Sequence, residues 1–182
     1  EVALYDKALS PSDVERHYDA RDALSAINAV VKTGGGTLTL AGANTYDGGT
    51  TASSGILMVS GSTATGTVAV REAVLMGTGT IGGGVAVQTR GETNPGASVG
   101  TLSVTGGLTY SNFSSVFHAE LDSAASYDQL SVGGDITLSN ATLNLIKAPG
   151  YTPTPTDVLV LAMGSSVSGT FNGIPQGQRI SA

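Results

Sequence analysis

Short runs of alternating apolar and polar residues, separated by clusters of glycine, constrain the fold of this chain most strongly. This alternation is the period of a β-strand with one buried face. The runs lie at 37–40, 56–59, 67–70, 85–87, 101–105 and 135–138. Turn signals fall between them: Gly34 to Gly36, Gly82 to Gly84, Asn94 to Gly96, and Gly106 with Gly107. Because the strands recur with no helical pattern between them, the sequence predicts an all-β protein.

Composition narrows the class further. The chain has 182 residues, of which 26 are glycine, 12% are charged and none is cysteine. Low charge argues against helix bundles and coiled coils, while a 40% hydrophobic content argues against disorder. A net charge of -6 removes the electrostatic drive for nucleic-acid binding. Since no apolar run approaches the roughly 20 residues of a membrane helix, we expect no membrane span in this chain.

Two features favour a right-handed parallel β-helix, a solenoid of stacked coils, over a β-sandwich. Small residues dominate and aromatic residues make up 5%, which suits a narrow stacked core. Segment 36–42 also resembles 100–106, with a looser copy at 134–140, and near-repeats are typical of solenoids. The β-sandwich remains the alternative. Residues 141–182 contain four prolines and have weak periodicity. If the fold is a sandwich, we expect the departure from a solenoid in this segment.

The first 32 residues differ in character from the rest. They contain no glycine or threonine and carry 10 of the 22 charged residues. This shift predicts a boundary near Lys32, with 1–32 as a strand-helix tail of another module and 33–182 as the solenoid. Within the tail, Glu1 to Asp6 is predicted as a strand, and Ser10 as the N-cap of a helix. The apolar pattern over 20–31 predicts a second helix or a continuation of the first.

Residues 32–51, followed by Gly55, Ile56 and Leu57, closely resemble the autotransporter-associated β-strand repeat. That resemblance implies a right-handed parallel β-helix in large secreted or surface-displayed bacterial proteins, and it implies no catalytic residues. Segments 94–102, 127–134 and 167–171 also resemble passenger regions of such proteins. Residues 1–11 resemble the last strand of a laminin-G or concanavalin-A-like domain. The expectation is therefore a fragment or processed product of a protein with a lectin-like domain ahead of the solenoid.

Two sequence patterns match catalytic or nucleotide-binding motifs by chance. Residues 77–82 fit G-x-G-x-x-G, and residues 96–100 fit G-x-S-x-G. Both motifs require a helix immediately afterwards, which binds phosphate or positions the nucleophile. Because each is followed here by a predicted strand, both are interpreted as turns.

One strand carries the best constellation of chemically capable side chains. His118, Glu120 and Asp122 alternate along 116–122 and so share a face, with Asp128 nearby. These residues form a possible ligand face that would bind a cation or supply acid and base groups for polysaccharide cleavage. The other interpretation is a solvated outer face, with Asp128 as a turn residue. His17 lies far away in another segment, so we expect no shared metal site, no cofactor and no catalytic residues.

The sequence therefore predicts an extracellular structural or adhesive protein of a bacterial surface rather than an enzyme. Its role would be a β-solenoid subunit of a surface layer, stalk or self-assembling filament. We expect a homo-oligomer or filament formed through the solenoid ends, with glycans as further candidate partners. The strand containing Val2, Leu4 and Tyr5 is the candidate subunit contact, by strand addition to a neighbour. The alternative is a glycan-binding or polysaccharide-cleaving module that uses the carboxylate face.

Overall fold

The computed structural model describes Ser10 and residues 29–176. Several predictions therefore fall outside the described residues. These are the strand over Glu1 to Asp6 with Val2, Leu4 and Tyr5, the helix after Ser10, and His17.

Within residues 29–176 the chain forms nineteen β-strands and no helix. In chain order, β1 to β19 are Val30–Lys32, Thr37–Leu40, Thr50–Ala52, Gly55–Val59, Ser62–Thr63, Val68–Val70, Ala73–Gly77, Thr80–Ile81, Val85–Val87, Glu92–Pro95, Thr101–Val104, Leu108–Tyr110, Val116–Ser123, Ser126–Tyr127, Gln129–Val132, Ile136–Ser139, Thr142–Lys147, Ala162–Met163 and Val167–Thr170. The predicted alternating runs correspond to β2, β4, β6, β9, β11 and β16.

The strands form three sheets that the chain visits in turn. The first sheet has the order β1-β3-β6-β9-β12-β16-β19, and the third has the order β18-β15-β11-β8-β5. The second runs β14-β13-β10-β7-β4-β2, with β17 also paired to β13. All these pairings are parallel except β13 with β14. This architecture is a right-handed parallel β-helix. The fold prediction is confirmed, and the alternative of a β-sandwich is wrong.

Residues 141–176 continue the solenoid instead of departing from it. β17 pairs with β13, β18 with β15 and β19 with β16, all in parallel. Their alternation is weak because this last described coil has a neighbour on one side, so its residues are largely half-buried or exposed. A long connection between β17 and β18 holds three of the four prolines of residues 141–182.

Two local predictions are corrected by strand pairing. Val30 and Val31 were expected in a helix, but they form β1 and pair in register with Thr50 and Thr51. The pairing outweighs the helical apolar pattern, which β-branched valines support weakly in any case. The solenoid thus includes Val30, ahead of the expected boundary. Asn94 and Pro95 were expected in a turn but end β10, and the turn comes at 96–100.

The core is built from in-register columns of apolar side chains. In the first sheet, Val68, Val85, Leu108 and Ile136 stack on consecutive coils and are at most 3% exposed. Burial of such side chains is the main source of stability in a fold of this kind. Larger side chains fill the C-terminal half, where the rings of Tyr110 and Phe117 stack with centroids 6.4 Å apart. The Tyr110 hydroxyl is paired with Thr93 Oγ1 at 2.5 Å, and burial raises the pKa of Tyr110.

Glycines form a ladder where the chain turns from the third sheet into the first. The ladder consists of Gly66, Gly83, Gly106, Gly134 and Gly164. A Cβ atom on Gly83 would lie 2.3 Å from the carbonyl oxygen of Gly66, and one on Gly106 would lie 2.8 Å from the amide nitrogen of Gly84. Backbones of neighbouring coils therefore touch at this corner. Much of the glycine content reflects this packing rather than flexible loops.

Candidate functional site

The outer face of the second sheet carries a mixed apolar and polar surface. One register row on this face contains Ile56, Val74, Glu92, Val116 and Thr142, from β4, β7, β10, β13 and β17. Side chains in this row point away from the core because the residues that alternate with them, such as Leu57 and Phe117, are fully buried. Ile56, Val74 and Val116 are the apolar members of the row, and Glu92 and Thr142 are its polar members.

A groove of about 340 Å³ lies on this outer face near the corner with the first sheet. Ile56 and Val74 are its apolar side chains, and Glu72, Arg90 and Glu92 are its charged ones. Gly55 and Ala73 complete the lining. Such a combination of apolar surface and a few polar groups is typical of ligand sites, although this groove is open to solvent.

The corner beside the groove holds an ion pair on unusual backbone. Glu72 and Arg90 both adopt left-handed conformations, with φ of 52° and 55°, which non-glycine residues seldom do. The Arg90 guanidinium donates to Glu72 Oε1. This hydrogen bond, with the positive charge behind it, lowers the pKa of Glu72. Both side chains are well exposed, so we assign the pair a local ordering role and little stabilising energy.

His118 joins three successive strands of the second sheet through side-chain hydrogen bonds. Its Nε2 lies 2.9 Å from Glu92 Oε2 on β10, and its Nδ1 lies 2.9 Å from Asn144 Nδ2 on β17. An amide nitrogen can only donate, so Nδ1 accepts and Nε2 carries the hydrogen that Glu92 receives. The result is a chain of three planar polar groups across β10, β13 and β17. His118 and Asn144 are in register, whereas Glu92 faces Val116, two positions before His118.

The predicted ligand face is only partly assembled. His118 and Glu120 both lie half-buried on the outer side of β13, and Asp122 is exposed farther along the strand. Asp128 is fully buried and binds backbone instead. Its Oδ1 accepts from the amide of Gly100 at 2.8 Å, and its Oδ2 accepts from the amide of Glu120 at 2.9 Å. The structure thus places Asp128 as a turn residue that ties two coils together.

Burial has a clear electrostatic effect on Asp128. It raises the pKa of this carboxyl group to about 6, although the two amide hydrogen bonds act in the opposite direction. A shift of this kind can mark a functional acid. Here both carboxylate oxygens are already engaged by backbone donors, so the shift reflects a structural position.

Sequence reasoning missed Glu72, Arg90 and Glu92 as members of a surface site. None of them lies in a recognisable motif, and the partners Glu72 and Arg90 are 18 positions apart. That spacing is close to one solenoid coil, since Val68 pairs with Val85. A search for charged residues one coil apart would have found the pair.

The sequence also predicted no structural role for the side chain of Lys32. Its side chain is buried, and Nζ donates to the carbonyl oxygens of Thr33, Gly34 and Ser54 at 3.0, 2.5 and 3.0 Å. These bonds replace the hydration of the ammonium group and join the first two coils. Lys32 is therefore part of the packing between coils.

Two kinds of site are absent from the part of the chain that the structure describes. In residues 29–176 and Ser10, no group of three or more histidine, aspartate or glutamate side chains is placed to hold a metal ion. The same residues include no helix long and apolar enough to cross a membrane.

Fold and surface together define the class as a parallel β-helix with an open, mixed groove on one outer face. Residues 30–59 match the passenger-associated-transport-repeat family. The match begins at the first residue of β1 and ends at the last residue of β4. It supports the predicted autotransporter-type repeat for these residues. It does not reach residues 1–11, for which the likeness to a laminin-G-like domain has no support.

A second comparison finds a longer but partial likeness. An extracellular serine protease of Serratia marcescens is 40% identical over 81 residues, which is 44% of this chain and 8% of that protein. The chain thus matches a small portion of that relative.

Proposed function

We propose that this chain is a segment of the passenger region of a bacterial protein that acts outside the cell or at its surface. The observation that carries the proposal is the passenger-type repeat at residues 30–59, which forms the first four strands of the described β-helix. The likeness to an extracellular protein of Serratia marcescens supports the same location.

In this role the β-helix is a rod-like scaffold. Backbone hydrogen bonds run along the axis from coil to coil, as from the Thr50 amide to the Thr67 carbonyl and from the Val68 amide to the Gly84 carbonyl. Each coil buries its apolar face against its neighbours. The chain has no cysteine, so this stack holds together without disulfides.

We infer that the segment is structural or adhesive rather than catalytic. The serine protease activity named for the relative belongs to that protein, of which this chain matches 8%. Both ring nitrogens of His118 are occupied, by Glu92 and Asn144, rather than paired with a hydroxyl nucleophile. A scaffold needs no such pair.

We further infer that copies of this chain associate end to end. Exposed apolar side chains gather in the last described coil and the connection before β18; they are Val158, Val160, Met163 and Val167. Among residues 29–176, strands β17, β18 and β19 each have one sheet neighbour, so their outer edges offer backbone groups for pairing. A head-to-tail contact of this type does not close and builds a filament. Strand addition by Glu1 to Asp6, with Val2, Leu4 and Tyr5, is the proposed contact.

The purified chain should therefore form assemblies whose mass rises with concentration in light scattering, and filaments in electron micrographs. Deletion of residues 1–9 should abolish them, because the added strand is lost. Met163→Lys should weaken them, because it places a charge on an exposed apolar position of β18. Phe113→Ser is the matched control, since Phe113 is 67% exposed on a side of the rod rather than at its end.

Filaments that persist unchanged after the deletion would remove the strand-addition contact. Antibodies against the chain should also label intact cells of the source bacterium or its culture medium. A signal confined to lysed cells would contradict the extracellular role.

A further inference from the structure

We propose that the outer face of the second sheet binds a neutral, extended oligosaccharide that lies along the helix axis. The site consists of the groove at Ile56 and Val74, the polar chain Glu92, His118 and Asn144, and the exposed ring of Phe113. The inference rests on the proposed extracellular role, because that role brings the protein into contact with glycans. Its physical basis is the geometry of this face alone.

The polar chain fits a repeating ligand in its spacing. Glu92, His118 and Asn144 come from β10, β13 and β17, which are consecutive strands of one parallel sheet. Neighbouring strands are about 4.8 Å apart, close to the length of one pyranose unit in an extended chain. His118 and Asn144 are in register, whereas Glu92 faces Val116, two positions before His118. The Glu92 side chain spans this offset, because its Oε2 lies 2.9 Å from His118 Nε2. A glycan that follows the axis therefore meets one planar polar group on each of these three strands.

The same three groups have hydrogen-bonding capacity for hydroxyls. Glu92 is bonded to His118 through Oε2, and Asn144 is bonded through Nδ2, so Glu92 Oε1 and Asn144 Oδ1 remain as acceptors for a ligand. His118 holds both side chains in place. Planar groups that are fixed in this way lose little entropy when a ligand binds.

The apolar part of the face suits the C–H surface of a sugar ring. Ile56 and Val74 form the apolar part of the groove, and Phe113 is 67% exposed on the loop between β12 and β13. The loop that carries Phe113 is ordered by its neighbours: Thr142 Oγ1 donates to the Phe113 carbonyl at 2.8 Å, and the Arg90 amide donates to Ser114 Oγ at 3.2 Å. An exposed aromatic ring on a fixed loop is an effective contact for a ligand.

Charge favours a neutral glycan over an acidic one. The groove carries Glu72 and Glu92 against Arg90, whose guanidinium is already bonded to Glu72. Arg71 also acts on Glu72, so two positive and two negative side chains balance at this corner and offer no net attraction to an acidic glycan. The chain as a whole carries -6, which repels polyuronates at longer range.

The test is a titration of the isotopically labelled full chain below the concentration at which it assembles, followed by NMR, with the β-1,4-linked cellohexaose and mannohexaose as neutral, extended probes. At least one should give saturable shifts at Ile56, Val74 and Phe113, with a dissociation constant of about 1 mM or lower. Hexagalacturonate should bind at least about fivefold more weakly. Phe113→Ser and Asn144→Ala should each weaken binding by about fivefold or more.

Val31→Ser is the matched control, since Val31 is an exposed apolar residue on β1 of the first sheet, and it should bind like the wild-type chain. Absence of saturable shifts with both neutral probes would overturn the proposal. So would wild-type affinity in Phe113→Ser and Asn144→Ala, or shifts confined to other faces. These outcomes leave the extracellular role untouched, because that role is tested by antibody labelling of cells.

Discussion

Replacement of Gly83 by alanine should lower the free energy of unfolding by about 3 kcal/mol or more, although it adds a single methyl group. The added Cβ would lie 2.3 Å from the Gly66 carbonyl oxygen and 2.4 Å from the Thr65 carbonyl oxygen. Both are backbone atoms of the preceding coil, so no side-chain rotation relieves the overlap. The coils must separate, which disrupts the column at Val68 and Val85. Urea unfolding followed by circular dichroism measures the effect.

Gly35→Ala is the matched control for Gly83→Ala. A Cβ on Gly35 meets no atom within 4 Å. It should change stability by less than about 1 kcal/mol, and in the stabilising direction if the backbone accepts alanine. Equal stabilities for the two variants would show that the coils are not in backbone contact at this corner.

Replacement of Asp128 by alanine should cost about 2 to 5 kcal/mol, because it leaves the amides of Gly100 and Glu120 buried without their acceptor. The loss should depend on pH. The folded-state pKa of about 6 lies above the ordinary value, so the folded protein binds the proton more tightly than the unfolded chain. The contribution of Asp128 to the free energy of unfolding therefore rises as pH falls from about 6 to about 4. The stability lost in Asp128→Ala should be larger at pH 4 than at pH 7.

Asp122→Ala serves as the control for the Asp128 variant, since Asp122 is an exposed carboxylate in the same region of the chain. Its cost should stay within about 0.5 kcal/mol at both pH values. Parallel stability curves for wild type and Asp128→Ala between pH 4 and pH 7 would refute the raised pKa. A small loss at all pH values would refute the structural role of the carboxylate.

The fold was predictable because the features that define it most strongly, alternation within strands and glycines at turns, are local in the sequence. Period-two alternation placed β2 and β9 at their observed bounds, and glycine clusters marked the corners between sheets. Near-repeats of small residues favoured the solenoid over the sandwich. Prediction from the sequence failed where strand pairing outweighs local secondary-structure preference, as at Val30 and Val31. These residues form a strand because β3 lies beside them, and no local pattern encodes that neighbour.

The surface site was predictable only in part, because stacking decides which residues meet. Alternation alone placed His118 and Glu120 on one face of β13. The hydrogen bonds from His118 to Glu92 and Asn144 depend on which strands lie on either side. Asp128 looked like a neighbour of that face in the sequence. The turn after β14 instead directs its carboxylate to the backbone of another coil.

The central claim is that coils stack in register along one axis, and distances between spin labels test it most directly. Val31 and Ser168 are exposed residues at matching positions of β1 and β19, six sheet steps apart. The chain has no native cysteine, so cysteines introduced there label specifically. At about 4.8 Å per step, the backbone distance should be about 29 Å, and about 14 Å for the pair Val31 and Ala86 at three steps. Distances that grow in proportion to the number of steps would support the stack. A Val31 to Ser168 distance no longer than the Val31 to Ala86 distance would contradict it.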